Sequence, residues 1–156
     1  MSWKEVTSFF VAGNPRPQPR QRHRVIRVNG KLKGAGFTDP KSKVHTWKDL
    51  FALEAAKHLP EEPLSGSLKV SITFIFKRPK SHYRTGKRAN ELKEYVPVYH
   101  TAKPDRDNAE KAVLDILTQI GFWRDDAQVA AGEVSKIYAD PGMIPGALID
   151  VQEYET

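Results

Sequence analysis

Four acidic side chains, Asp105, Asp107, Asp125 and Asp126, flank one stretch of this chain, which reads KPDRDNAEKAVLDILTQIGFWRDDAQ from Lys103 to Gln128. With no cysteine in the 156 residues, any metal must use oxygen or imidazole donors. Carboxylates in small number, with positions left for water and phosphate, suit magnesium rather than zinc, and manganese fits as a substitute. The rest of the chain is basic, with 25 Lys and Arg against 19 Asp and Glu and a net charge of +6. A protein that attracts polyanions yet gathers carboxylates at one place can hold a divalent cation against a phosphate backbone.

The element that must position these groups is a helix, expected from Asn108 to Ile120, with Ala112, Val113, Ile116, Leu117 and Ile120 turned inward and Gly121 ending it. If Asp105 to Asp107 is extended, both carboxylates point to one side and Arg106 to the other. Asp126, reached after the helix and a returning loop, is expected to supply a third oxygen donor. A purely structural reading stands beside this one. Asp107 and Glu110 have capping-box spacing, and acidic groups suit a helix N-terminus. That reading leaves Asp105 and the adjacent Asp125 and Asp126 unexplained, since neighbouring like charges cost energy unless neutralised. Lys111, one turn after Asp107, is either half of an exposed ion pair with Asp107 or a charge that stabilises a phosphate. His100 is the histidine nearest the motif and reads more simply as a surface or core residue.

Around this stretch, Thr7 to Gly13 reads as a strand, and Val25 to Val28 as a short one before an Asn29-Gly30 hairpin turn. A helix is expected over about 41–59, with Trp47, Leu50, Phe51, Leu53, Glu54, Ala55 and His58 on one face. Ser67 to Lys77 alternates as a strand, with Leu68, Val70, Ile72, Phe74 and Phe76 on one side. Tyr95 to His100 reads as extended, and Ala127 to Tyr138 and Ala147 to Tyr154 as the last strands. The expected fold is α+β, a single domain over 1–156 with a mixed β-sheet packed by two main helices. Two basic segments interrupt it. In NPRPQPRQRHR, three prolines keep Arg16, Arg20, Arg22 and Arg24 on an irregular path, either as a solvated loop or as an arm contacting phosphates. The loop at about 78–94 carries Arg78, Lys80, Arg84, Lys87, Arg88, Lys93 and the aromatic Tyr83, which suit nucleic acid as well as they suit a mobile surface loop.

The length is that of one ordinary domain. A hydrophobic content of 39% without any long apolar run excludes a membrane-spanning helix. The start, MSWKEVTSFFVAGNPRPQ, lacks the pattern of a signal peptide, so a cytoplasmic location is expected.

The stretch KPDRDNAEKAVLDILTQIGFWRDDAQV resembles the central motif of the RusA family of Holliday-junction resolvases. The likeness combines KPDxDN, a lysine in the following helix and DDxQ at the helix exit. It extends more loosely to GNPRPQPRQRHR and to a lysine in the strand beyond the acidic pair, here Lys136. The resemblance implies a magnesium-dependent homodimeric endonuclease acting on four-way junction DNA in recombination and repair. By position it implies Asp105, Asp107 and Asp126 as metal-binding carboxylates and Lys111 as the catalytic lysine; Lys136 and the arginine arm are candidate DNA contacts. A broader branched-DNA nuclease and a non-catalytic basic DNA-binding protein are the alternatives.

Overall fold

The computed structural model describes residues 1–15, 22–28, 31–37 and 43–156, with 22–28, 31–37 and 43–46 described through the backbone alone. In chain order the elements are β1 (Ser2–Ala12), β2 (Arg22–Val28), β3 (Lys31–Phe37), α1 (Lys43–Ala56), β4 (Leu68–Phe76), α2 (Arg106–Ile120), β5 (Val129–Ala131), β6 (Val134–Tyr138) and β7 (Gly146–Glu155). The architecture is α+β, with a mixed sheet and two helices.

Strand β4 is central because its alternation supplies one fully apolar face. Leu68, Val70, Ile72, Phe74 and Phe76 are all buried. On one side β4 pairs antiparallel with β7, which pairs antiparallel with β1. On the other side it pairs in parallel with β5 and then β6, two successive lengths of one edge. They are separated at Gly132, whose φ of +135° and close approach to the Val70 carbonyl, where a Cβ would lie 1.9 Å away, only glycine tolerates. A parallel pair needs a long crossover, and the segment containing α2 provides it. Strands β2 and β3 form a separate antiparallel pair with Val28 opposite Lys31.

Both helices lie over the same core. From α1 come Trp47, Phe51 and Ala55, one residue per turn; from α2 come Ala109, Ala112, Val113, Ile116 and Leu117. They pack against Phe9, Val11, Val70, Ile72, Ile149 and Val151 of the sheet. Gly121, at φ +93°, caps α2 in the left-handed conformation and donates its N–H to Leu117 and Thr118. Phe122 and Trp123 then plug the core at that end, with the Trp123 indole donating to the Thr118 hydroxyl at 2.7 Å.

Several boundaries differ from expectation. Helix α2 starts at Arg106 rather than Asn108, so Asp107 lies inside it. The segment expected as one strand from Ala127 to Tyr138 is a 3-10 turn followed by β5 and β6, because Gly132 breaks it. Strand β1 extends back to Ser2, where cross-strand pairing with Glu155 holds a polar stretch that alternation alone does not mark. On α1, Leu50 and Leu53 are 52% and 69% exposed, so the buried stripe is narrower than the sequence implies. The Asn29-Gly30 turn lies outside the described residues. No helix among the described residues is long and apolar enough to cross a membrane.

Candidate active site

The N-terminal end of α2 carries the first acidic pair. Asp105 is the N-cap residue, in extended conformation at φ −65° and ψ 148°, yet its side chain does not cap the helix. It pairs instead with the Lys103 ammonium at 2.8 Å. Asp107 sits in the first helical turn and is exposed. The expected extended Asp-Arg-Asp geometry is therefore corrected, because the helix begins between the two carboxylates and takes Arg106 with it. The capping-box reading of Asp107 and Glu110 is corrected with it, since the cap position belongs to Asp105. Both acids lie at the N-terminal end of α2, whose positive pole favours anionic groups.

Behind this turn stands Lys136, on β6. Its ammonium donates to the carbonyls of Ala102, at 2.9 Å, and of Pro104, on either side of Lys103. Burial lowers its pKa, against the attraction of Asp105. The lysine expected to contact DNA thus spends two donors holding the backbone that delivers Asp105. Next to it, His100 stacks on Phe76 at 3.8 Å between ring centroids and donates its backbone N–H to the Lys136 carbonyl at 3.0 Å. Burial, and secondarily the Lys136 charge, push the His100 pKa down, so the imidazole is neutral near pH 7.

The second acidic pair lies at the other end of α2. Asp125 caps the 3-10 turn at Asp126–Gln128, its Oδ1 accepting from the Ala127 N–H at 2.9 Å. The Gln128 carbonyl oxygen accepts from the Asp125 N–H at 2.9 Å, and its amide nitrogen donates to the carbonyls of Leu64 and Gly66 at 3.0 Å each. The DDxQ element is thus explained in two halves: Asp125 and Gln128 clasp the chain to the segment before β4, and Asp126 is left exposed. Sequence reasoning missed Gln128, although the Asp-x-x-Gln capping spacing signalled it.

These two ends do not meet within one chain. Helix α2 has 15 residues and is about 22 Å long at 1.5 Å per residue. Asp105 is held beside Lys136, which pairs with Phe74 near the end of β4, whereas Asp126 follows the plug at Trp123 and adjoins Val129, paired with Leu68 at the start of β4. Among the described residues no three His, Cys, Asp or Glu side chains come together to hold a metal ion. Within one chain the structure does not bring Asp126 to Asp105 and Asp107, because α2 separates them. Lys111 likewise pairs with Asp115, at 3.4 Å, rather than with Asp107.

Of the basic residues, Arg16 and Arg20 lie outside the described residues, and Arg22 and Arg24 are placed on β2 through the backbone alone. Arg78 is 5% exposed and takes no part in a basic surface. Its guanidinium donates to the carbonyls of Ala139 at 2.9 Å and Pro97 at 2.7 Å and lies 5.3 Å from the Tyr138 ring centroid. It therefore anchors the loop that follows, which is further held by backbone bonds between Arg84 and Glu91 and between Lys93 and His82.

Comparison with known proteins bears on residues at both ends of α2. A family model described as Endodeoxyribonuclease RusA matches residues 13–146. The chain is 50% identical over 38 residues to "Crossover junction endodeoxyribonuclease RusA" of Escherichia coli (strain K12) and to the protein of that name in Shigella sonnei (strain Ss046). Each alignment spans 24% of this chain and 32% of the relative, so the chain matches about a third of those relatives' length.

Proposed function

The chain belongs to the RusA family of endodeoxyribonucleases, and on that premise we propose that it is a divalent-metal-dependent endonuclease that resolves four-way DNA junctions by paired, symmetric phosphodiester cleavage in recombination and repair. The observation that carries this reading is the pair Asp105 and Asp107 at the N-terminal turn of α2, backed by a lysine that fixes the backbone between Ala102 and Pro104. The donor chemistry fits magnesium, which characteristically takes one or two carboxylates and completes its shell with water and phosphate oxygens. Asp105 and Asp107 are the residues that would hold it. When bound, such an ion supplies Lewis acidity toward a phosphoryl oxygen and eases deprotonation of the attacking water.

The remaining steps belong to the chain itself. Lys136 keeps the Asp105 segment in place, so no reorganisation is needed when the phosphate arrives. Lys111, exposed on the turn after Asp107, leaves Asp115 and turns its ammonium toward charge growing on the phosphate. Asp126 reaches the site from a second copy. Since one chain keeps it a helix length away from Asp105 and Asp107, a two-fold homodimer that crosses these ends gives each site the Asp126 of the partner subunit. Such a dimer presents two equivalent sites to a symmetric junction.

Asp107→Asn and Asp126→Asn test this arrangement together. Each variant alone is expected to bind a junction and fail to cut it, while the mixed pair regains one intact site and nicks a single strand. Mixed protein that stays inactive although it exchanges subunits would refute the shared site.

A further inference from the structure

Beside the acidic turn, two cavities share His100 in their lining. The first, about 290 Å³, is lined by Asn14, Phe76, Lys77, His100 and Lys103 together with two prolines. The second, about 420 Å³, is lined by His100, Arg106 and Lys136 among others. No Asp or Glu is among the described residues that line either one. Between them they gather Lys77, Lys103 and Arg106 in addition to Lys136, two of whose three donors are engaged.

His100 is only 9% exposed, and its Nδ1 is buried with no hydrogen-bond partner among the described residues. A buried polar atom without a partner costs about 1–3 kcal/mol, but Nδ1 is closed to solvent, so the cavity's ligand is set by the cations and the amide that line it. Asn14 is held in place, its side-chain oxygen accepting from the Lys77 N–H at 2.9 Å, which leaves its amide N–H groups for another acceptor. Donors and cations, of which only Lys103 is paired with a carboxylate, describe a seat for a tetrahedral oxyanion.

We propose that the first cavity, walled by Asn14, Lys77, His100 and Lys103, binds a DNA phosphodiester next to the one presented to Asp105 and Asp107. The identity of this ligand rests on the nuclease reading above; the anion chemistry does not. The strand then enters over Lys77 and passes Lys103, whose ammonium touches Asp105 at 2.8 Å, so the subsite fixes which phosphate reaches the acids. Lys77 supplies charge, and the Asn14 amide supplies direction.

The test is the salt dependence of junction binding by the full chain with chelator, between about 50 and 200 mM salt. Loss of one phosphate contact lowers the slope of log affinity against log salt by about 0.9. Lys77→Ala is expected to show that drop. Lys4→Ala, exposed at the far end of β1, is expected to show none. Asn14→Asp keeps the bond to the Lys77 N–H and replaces the amide donor with a charge that repels phosphate; it is expected to weaken binding by about tenfold or more. Adding inorganic phosphate at constant ionic strength while observing the His100 ring by NMR separates the two sources of oxyanion. A Lys77→Ala slope equal to that of the unmodified protein overturns the proposal, including when free phosphate shifts the ring, since the cavity would then take phosphate but not DNA. Failure of the unmodified protein to cut junctions would instead remove the nuclease reading and leave the slope comparison interpretable on any DNA.

Discussion

Replacing Lys136 with Met separates a residue that holds the acidic turn from one that touches DNA. Met keeps an unbranched apolar stem beside Phe76, whose ring centroid lies 6.0 Å from the Lys136 ammonium, and removes the two bonds to Ala102 and Pro104. Hydrogen bonds from a charged donor contribute about 1.5–3 kcal/mol each when buried. Lys136 is half-buried and water can replace part of that, so a total of about 1–3 kcal/mol is expected. At about 2–4 °C per kcal/mol for a chain of this size, Tm should fall by roughly 2–12 °C. Activity should suffer more, because a displacement of about 1 Å at a catalytic group can cost on the order of a hundredfold. Single-turnover cleavage of a labelled four-way junction at saturating protein should therefore slow by about 10- to 100-fold. The salt slope of binding should not move. A slope reduced by about 0.9, with cleavage restored once DNA is saturated, would show that Lys136 contacts phosphate and would refute its role as a strut.

Arg78→Met should lower stability by about 2–4 kcal/mol, because it strands the carbonyls of Ala139 and Pro97, and leave the salt slope of DNA binding unchanged; urea unfolding and the binding series check both. Asp125→Ala should cost about 1 kcal/mol through loss of its cap, measured as a lower Tm, whereas Asp126→Asn should keep the Tm and lose cleavage. The depressed pKa of His100 means that the unfolded chain binds the extra proton first. Its contribution to stability is complete above about pH 6.5, the ordinary histidine value, and declines as the pH falls below it. Unfolding curves at successive pH values should therefore show less acid sensitivity in His100→Phe than in the unmodified protein.

Local order was largely legible in the sequence. The alternation of β4 and the inward residues of α2 follow from apolar periods of two and 3.6, and Gly121 stands where a helix needs a left-handed residue. The separation of Asp126 from Asp105 was not read there: a returning loop was expected after the helix, whereas the chain turns at Trp123 into β5 and leaves the two ends of the 15-residue helix about 22 Å apart. What sequence could not show were contacts between distant segments. Arg78 sits in a run of exposed cations, and its strongest partners, carbonyls 19 and 61 positions away, cannot be read from its neighbours. Lys136 resembles any strand lysine until the turn carrying Asp105 is laid across it, 32 positions earlier in the chain. Gly132 likewise reads as an ordinary loop glycine until β4 approaches within the radius of a missing methyl group.

Cleavage of a labelled four-way junction, set beside a linear duplex of the same sequence, with magnesium and with chelator, is the most direct test of the central claim. Paired symmetric cuts in the junction alone, present with magnesium and lost with chelator and in Asp107→Asn, are expected. Equal cutting of both substrates would contradict junction selectivity, and no metal-dependent cutting of either would contradict the nuclease itself.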